Sequence, residues 1–145
     1  MGKSIILMRI ENWESKLSYY IQKQQLIKFK RGKSDCFTFV IDAIKILTKK
    51  TVFDIDYKSV KDAKKILKEL NKKDLLDIAM DIAKKNNFKE IDCVYAQRGD
   101  VVFLKTKEEF GGTLGICIGQ KSIFRTKNGV ETRETNTCNI AWRID

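Results

Sequence analysis

The chain has 145 residues, with 29 basic against 19 acidic side chains for a net charge of +10, and 43% of its residues are hydrophobic. That length suits one domain, 1–145, since domains commonly run to about 100–150 residues, and the apolar content excludes a disordered tail. No apolar run nears the roughly 20 residues that span a bilayer, and Ile5-Ile6-Leu7-Met8 is too short for the apolar region of a signal peptide; the chain is therefore expected to have no membrane span and to stay in the cytosol unless it leaves inside a larger particle.

Helices come first along the chain. Trp13, Leu17, Tyr20, Ile21 and Ile27 recur at near-helical spacing and predict an amphipathic helix over 11–28. A basic connection, Lys28 to Ser34, contains Gly32. A second helix is expected to begin at about Cys36, with Ser34 or Asp35 as its N-cap. Phe37, Val40, Ile41, Ile44 and Leu47 fall on one face, widened by Phe39 and Ala43, so this helix should be mostly buried. Thr51 to Tyr57 reads as irregular. A third helix is predicted over 58–70, with Val60, Ala63, Ile66, Leu67 and Leu70 inward and Asn71 ending it. Asp74 caps a fourth, running to about Lys85 and closed by Asn86-Asn87.

Strands follow. Gly99-Asp100 is a turn signal before the β-branched run Val101 to Leu104. Leu114 to Ile118, Ser122 to Thr126, Val130 to Thr135 and Ile140 to Ile144 read as further strands, and Asn128-Gly129 favours a hairpin between the middle two. Helices followed by an antiparallel sheet define an α+β domain.

The positive charge is mostly lysine, spread along helices as in Lys61, Lys64, Lys65, Lys68, Lys72 and Lys73. Aromatic residues are not interleaved with these lysines as base stacking requires. A solvated helical face is thus favoured over nucleic-acid binding, and an acidic protein partner is a further option. Cys36, Cys93, Cys117 and Cys138 are widely and irregularly spaced, and without histidine a zinc site would need all four. Neither a metal nor a cofactor is expected. Cys93 and Cys117 lie in apolar runs and read as small buried residues.

Cys36 is the residue placed for chemistry. A thiol at a helix N-terminus meets unpaired N–H groups and the positive end of the helix dipole, and Arg31 and Lys33 add positive charge nearby. The competing reading is a small apolar residue buried beside Phe37 and Phe39.

Trp13-Glu14, Gly32 through Asp35-Cys36, Arg98 through Val102, Leu114 through Gly119 and Ala141-Trp142-Arg143 stand in an order that resembles a family of small phage and prophage proteins. That family is related to the compact papain-like fold of NlpC-type cell-wall peptidases. The resemblance implies a papain-like α+β domain in which Cys36 holds the nucleophile position. It implies that the catalytic histidine would fall on Thr113 and the residue orienting it near Arg125. The chain contains no histidine. A threonine hydroxyl is no general base near neutral pH, and arginine stays protonated. Acyl transfer needs a base that later protonates the leaving group, and such help is worth about 10²–10⁴ in rate. Asp35 or Asp100 could substitute only poorly, because an ordinary carboxylate is too acidic to hold a thiol proton. A partner chain could instead donate a histidine.

The leading expectation is therefore a non-catalytic hydrolase-like domain, a structural or adaptor protein of a phage tail. It would meet other tail or hub proteins, first in the host cytoplasm and then in the virion, with a neighbour's peptide lying in the old substrate groove near Cys36 and Thr113. The alternatives are a cysteine peptidase or amidase acting on peptidoglycan and, disfavoured, a basic nucleic-acid binder.

Overall fold

The structure is a computed structural model that describes residues 9–144. The run 5–8 lies outside the described residues. Among the described residues four α-helices, α1 (Trp13–Gln24), α2 (Cys36–Thr48), α3 (Val60–Glu69) and α4 (Leu75–Lys85), precede six strands. The strands are β1 (Lys89–Ile91), β2 (Val101–Lys105), β3 (Gly112–Cys117), β4 (Lys121–Thr126), β5 (Gly129–Glu134) and β6 (Ile140–Arg143). They form one antiparallel sheet in the order β1-β6-β2-β3-β4-β5. The α+β expectation holds at this level.

Strand alternation divides the sheet's apolar side chains between two cores. Val101, Phe103, Leu114, Ile116, Ile123 and Trp142 join the helices in the larger one. Val102, Cys117, Phe124 and Ala141 point the other way, where single 3₁₀ turns bring Cys93 and Cys138 over them. All seven residues expected on the inner face of α2 are buried, and the helix packs against α1 and across β3 and β4. The three cysteines of the smaller core are buried free thiols. Among the described residues no group of His, Cys, Asp and Glu side chains is arranged to hold a metal ion. Nor is any helix among them long and apolar enough to cross a membrane.

Several elements depart from the expected pattern. The first helix ends at Gln24 rather than 28, and the next three residues tighten into i→i−3 bonds. Its last carbonyls are turned toward an arginine on the sheet, described below. The helix α3 buries only Leu67 of the five residues expected inward; Val60, Ala63 and Ile66 are half-buried and Leu70 is exposed. This helix lies on the rim of a cavity instead of covering the core. Strand β1 has no alternating pattern to announce it and exists because β6 offers it a free edge. The turn between β4 and β5 is formed by Lys127 and Asn128, and Gly129 already pairs with Thr126.

Asp100 sits at the head of β2 with no exposure. It accepts from the Arg9 guanidinium at 2.9 Å, the Gln97 N–H at 2.9 Å, the Ile144 N–H at 3.3 Å and Arg143 at 3.4 Å. These bonds gather the start of the described chain, the β2 turn and the end of β6 around one carboxylate. Removing it orphans donors on three segments, so Asp100→Ala should lower unfolding free energy by about 2–3 kcal/mol in urea titrations. A loss within error of zero would show that the carboxylate is not the tie.

Candidate functional site

The turn that leads into α2 is built around Asp35, which is 1% exposed. Its side chain caps the helix by accepting from the Thr38 N–H at 2.9 Å, and Thr38 Oγ1 accepts in return from the Asp35 N–H at 3.0 Å. This reciprocal box satisfies orphan donors of the first turn. The same carboxylate accepts from the Gly32 N–H at 2.8 Å and the Tyr57 hydroxyl at 2.6 Å. Of the two cap candidates, Asp35 is the cap, while the Ser34 hydroxyl donates to the Lys28 carbonyl at 2.6 Å and closes the preceding loop. Gly32 has φ 84°, and a Cβ there would lie 1.7 Å from the Tyr57 carbonyl oxygen. Only glycine fits such an approach.

Cys36 is the first residue of α2 and is half-buried. Burial pushes its thiol above the ordinary value of 9.0. The Leu114 N–H, the Thr113 hydroxyl and Arg31 favour the thiolate, the Asp35 carboxylate opposes it, and the balance stays with burial. At this sulfur burial outweighs the helix terminus and the nearby cation. Arg31 contributes, but Lys33 is exposed to solvent.

The structure brings the three candidate positions together. Cys36, Thr113 and Arg125 all line one cleft of about 280 Å³. Their chemistry differs from that of a triad. Arg125 is 2% exposed and spends its guanidinium on main-chain carbonyls. Nε donates to Ser34 at 3.1 Å, one terminal nitrogen to Gln24 at 2.6 Å and the other to Ile27. Burial lowers its pKa. The side chain is thus a brace from β4 to both ends of the 25–35 loop, with its donors spent on main-chain carbonyls. Asp35 is committed as cap, and Asp100 lies outside the cavities that Cys36 lines. Neither carboxylate is placed to serve as its base.

Sequence reasoning placed Arg31 near the thiol but missed Tyr57 and Phe110. The Arg31 guanidinium lies 5.0 Å from the Phe29 ring and 5.7 Å from the Phe110 ring, and pairs with Glu109 at 3.3 Å. Phe110 is held there because its carbonyl accepts from the Leu75 N–H at the start of α4. Arg31, Cys36 and Phe110 also border a second cavity of about 60 Å³, walled mainly by carbon from α2, α3 and α4. Cys36 therefore stands between a polar cleft and an apolar pocket. The glycine three residues before Asp35 and the lone tyrosine of the 51–57 stretch were the available signals. Nothing local could have brought Phe110 to the site.

Fold and site together define an α+β domain with a protonated thiol at the head of its central helix, set in a cleft between helices and sheet. The chain belongs to a family described as a domain of unknown function (DUF6950), whose model matches residues 8–144. No curated protein matches it.

Two outcomes follow from this geometry. Iodoacetamide should label native Cys36 no faster than a small free thiol near neutral pH, with the rate climbing only as pH passes the ordinary value of 9.0; fast, selective labelling well below that pH would contradict the burial effect. Arg125→Lys should cost about 2–3 kcal/mol of stability, because one ammonium cannot replace a fork spread over three carbonyls. Hydrogen exchange should then speed up across residues 25–35, and unchanged protection there would refute the brace.

Proposed function

We propose that this chain is a non-catalytic domain with a papain-like arrangement, serving as a structural or adaptor component of a phage tail. The observation that carries the reading is the site's composition: a cysteine heads the central helix and faces Thr113, in a chain with no histidine. Attack by a thiol requires a thiolate and a group to protonate the departing amine. Burial holds the Cys36 proton on sulfur, and Arg125 is spent on the fold. The cleft survives without the proton-transfer groups, which suits holding a peptide better than cutting one. The phage and tail setting rests on the sequence resemblance alone, as does the kinship with cell-wall peptidases.

A cysteine peptidase or amidase acting on peptidoglycan is the second reading, favoured by Cys36 at the N-terminus of α2. It requires a histidine from another chain.

Purified particles decide the first reading. The protein should co-purify with tail components in fixed ratio, and Cys36→Ala should leave both its incorporation and infectivity unchanged. Recovery only as free protein would remove the tail assignment. Clearing of peptidoglycan gels by the native protein, abolished in Cys36→Ala, would establish the hydrolase instead.

A further inference from the structure

The apolar pocket beside Cys36 continues into the lysine-rich side of α3. Leu67 and Phe110 wall both the pocket and an adjoining hollow of about 570 Å³, into which Lys64, Lys68, Lys72 and Lys73 also face. This hollow holds two acids, Asp77 and Glu109, against its four lysines. Glu109 pairs with Arg31 at 3.3 Å and Lys127 at 3.9 Å, and Asp77 accepts from the Lys73 N–H at 3.0 Å. Lys72 pairs with Asp81 at 3.5 Å, beyond the hollow. Among the described residues no ion pair engages Lys64, Lys68 or Lys73. The site thus couples an apolar socket to an excess of positive charge within one continuous surface.

We propose that this surface binds an acidic peptide segment of a partner protein through one aliphatic side chain. The aliphatic group enters the pocket between α2, α3 and α4, and the flanking carboxylates meet Lys64, Lys68 and Lys73. The proposal rests on the non-catalytic reading, for which it names the class of partner. Charge complementarity selects the occupant. A second copy of this chain would bring another net charge of +10. A nucleic acid would satisfy the lysines but leave the pocket empty, and the Arg31 guanidinium already lies 5.7 Å from the Phe110 ring, where a base would have to stack. The lysines add attraction and speed of encounter, whereas the pocket adds side-chain selectivity.

Fluorescence anisotropy on the full chain tests this with the labelled peptide Asp-Glu-Leu-Glu-Asp. Replacing its leucine by glycine should weaken binding about tenfold or more, the factor that burying one aliphatic side chain carries. Lys64→Glu with Lys68→Glu should weaken it by about tenfold as well and flatten its salt dependence. Both lysines are exposed, so this variant should keep the wild-type circular dichroism spectrum. Ala63→Phe, which fills the pocket, should erase the preference for leucine over glycine. No binding at low salt, equal affinity for the two peptides, indifference to the charge reversal, or tighter binding of a single-stranded oligonucleotide would each overturn the proposal. If peptide binding fails while the chain still co-purifies with particles, only this inference is lost. If peptide binds but the chain is absent from particles, the tail assignment falls and the docking surface stands.

Discussion

Arg125 carries a full positive charge into the interface between sheet and helices, and among the described residues no carboxylate pairs with it. Its donors meet three carbonyls, from Gln24, Ile27 and Ser34, contributed by segments about a hundred residues away in the chain. A buried charge is tolerable only when its hydrogen bonds are met, and a planar fork of donors meets several carbonyls at once. In doing so it stops α1, shapes the loop that follows and delivers Ser34 to the turn that starts α2. The position of Cys36 depends on that turn. The side chain occupying a supporting place in the expected hydrolase layout is thus spent on the fold.

Asp35 does comparable work from the other side. It caps α2, holds Gly32 in its left-handed turn and anchors Tyr57, which brings the irregular 51–57 segment against the pocket. Both devices make the mouth of α2 rigid, and neither supplies a proton acceptor for the thiol. Electrostatics alone would have favoured a reactive cysteine there, given the helix terminus, Arg31 and the Leu114 N–H. Desolvation outweighs them. The result is a cleft bordered by a thiol whose pKa burial raises, with an apolar pocket on one side.

Much of the fold was legible along the chain. The apolar face of α2 could be read residue by residue because a buried helix must repeat its apolar positions every three to four residues. The caps at Asp74 and at Ser34 or Asp35 could be read because few side chains satisfy orphan N–H groups. Strands β2 to β6 showed as short β-branched or alternating runs. Where the reading failed, the cause lay far off in sequence: Arg125 ended α1 early, β6 recruited β1, and α3 turned its apolar residues toward a cavity.

For the site, the sequence by itself determined which chemistry was absent. With no histidine anywhere, this chain supplies no imidazole to take a thiol proton, and the Gly32-to-Cys36 turn marked a thiol at the start of a helix. Only the tertiary structure decided that Cys36, Thr113 and Arg125 share one cleft, that burial keeps the thiol protonated, and that Phe110 and the lysines of α3 extend the cleft into a pocket. The physical reason is one of range. Caps and periodicity act over a few residues and leave a local imprint, whereas desolvation and the meeting of β3, β4 and α2 depend on neighbours supplied by the whole fold.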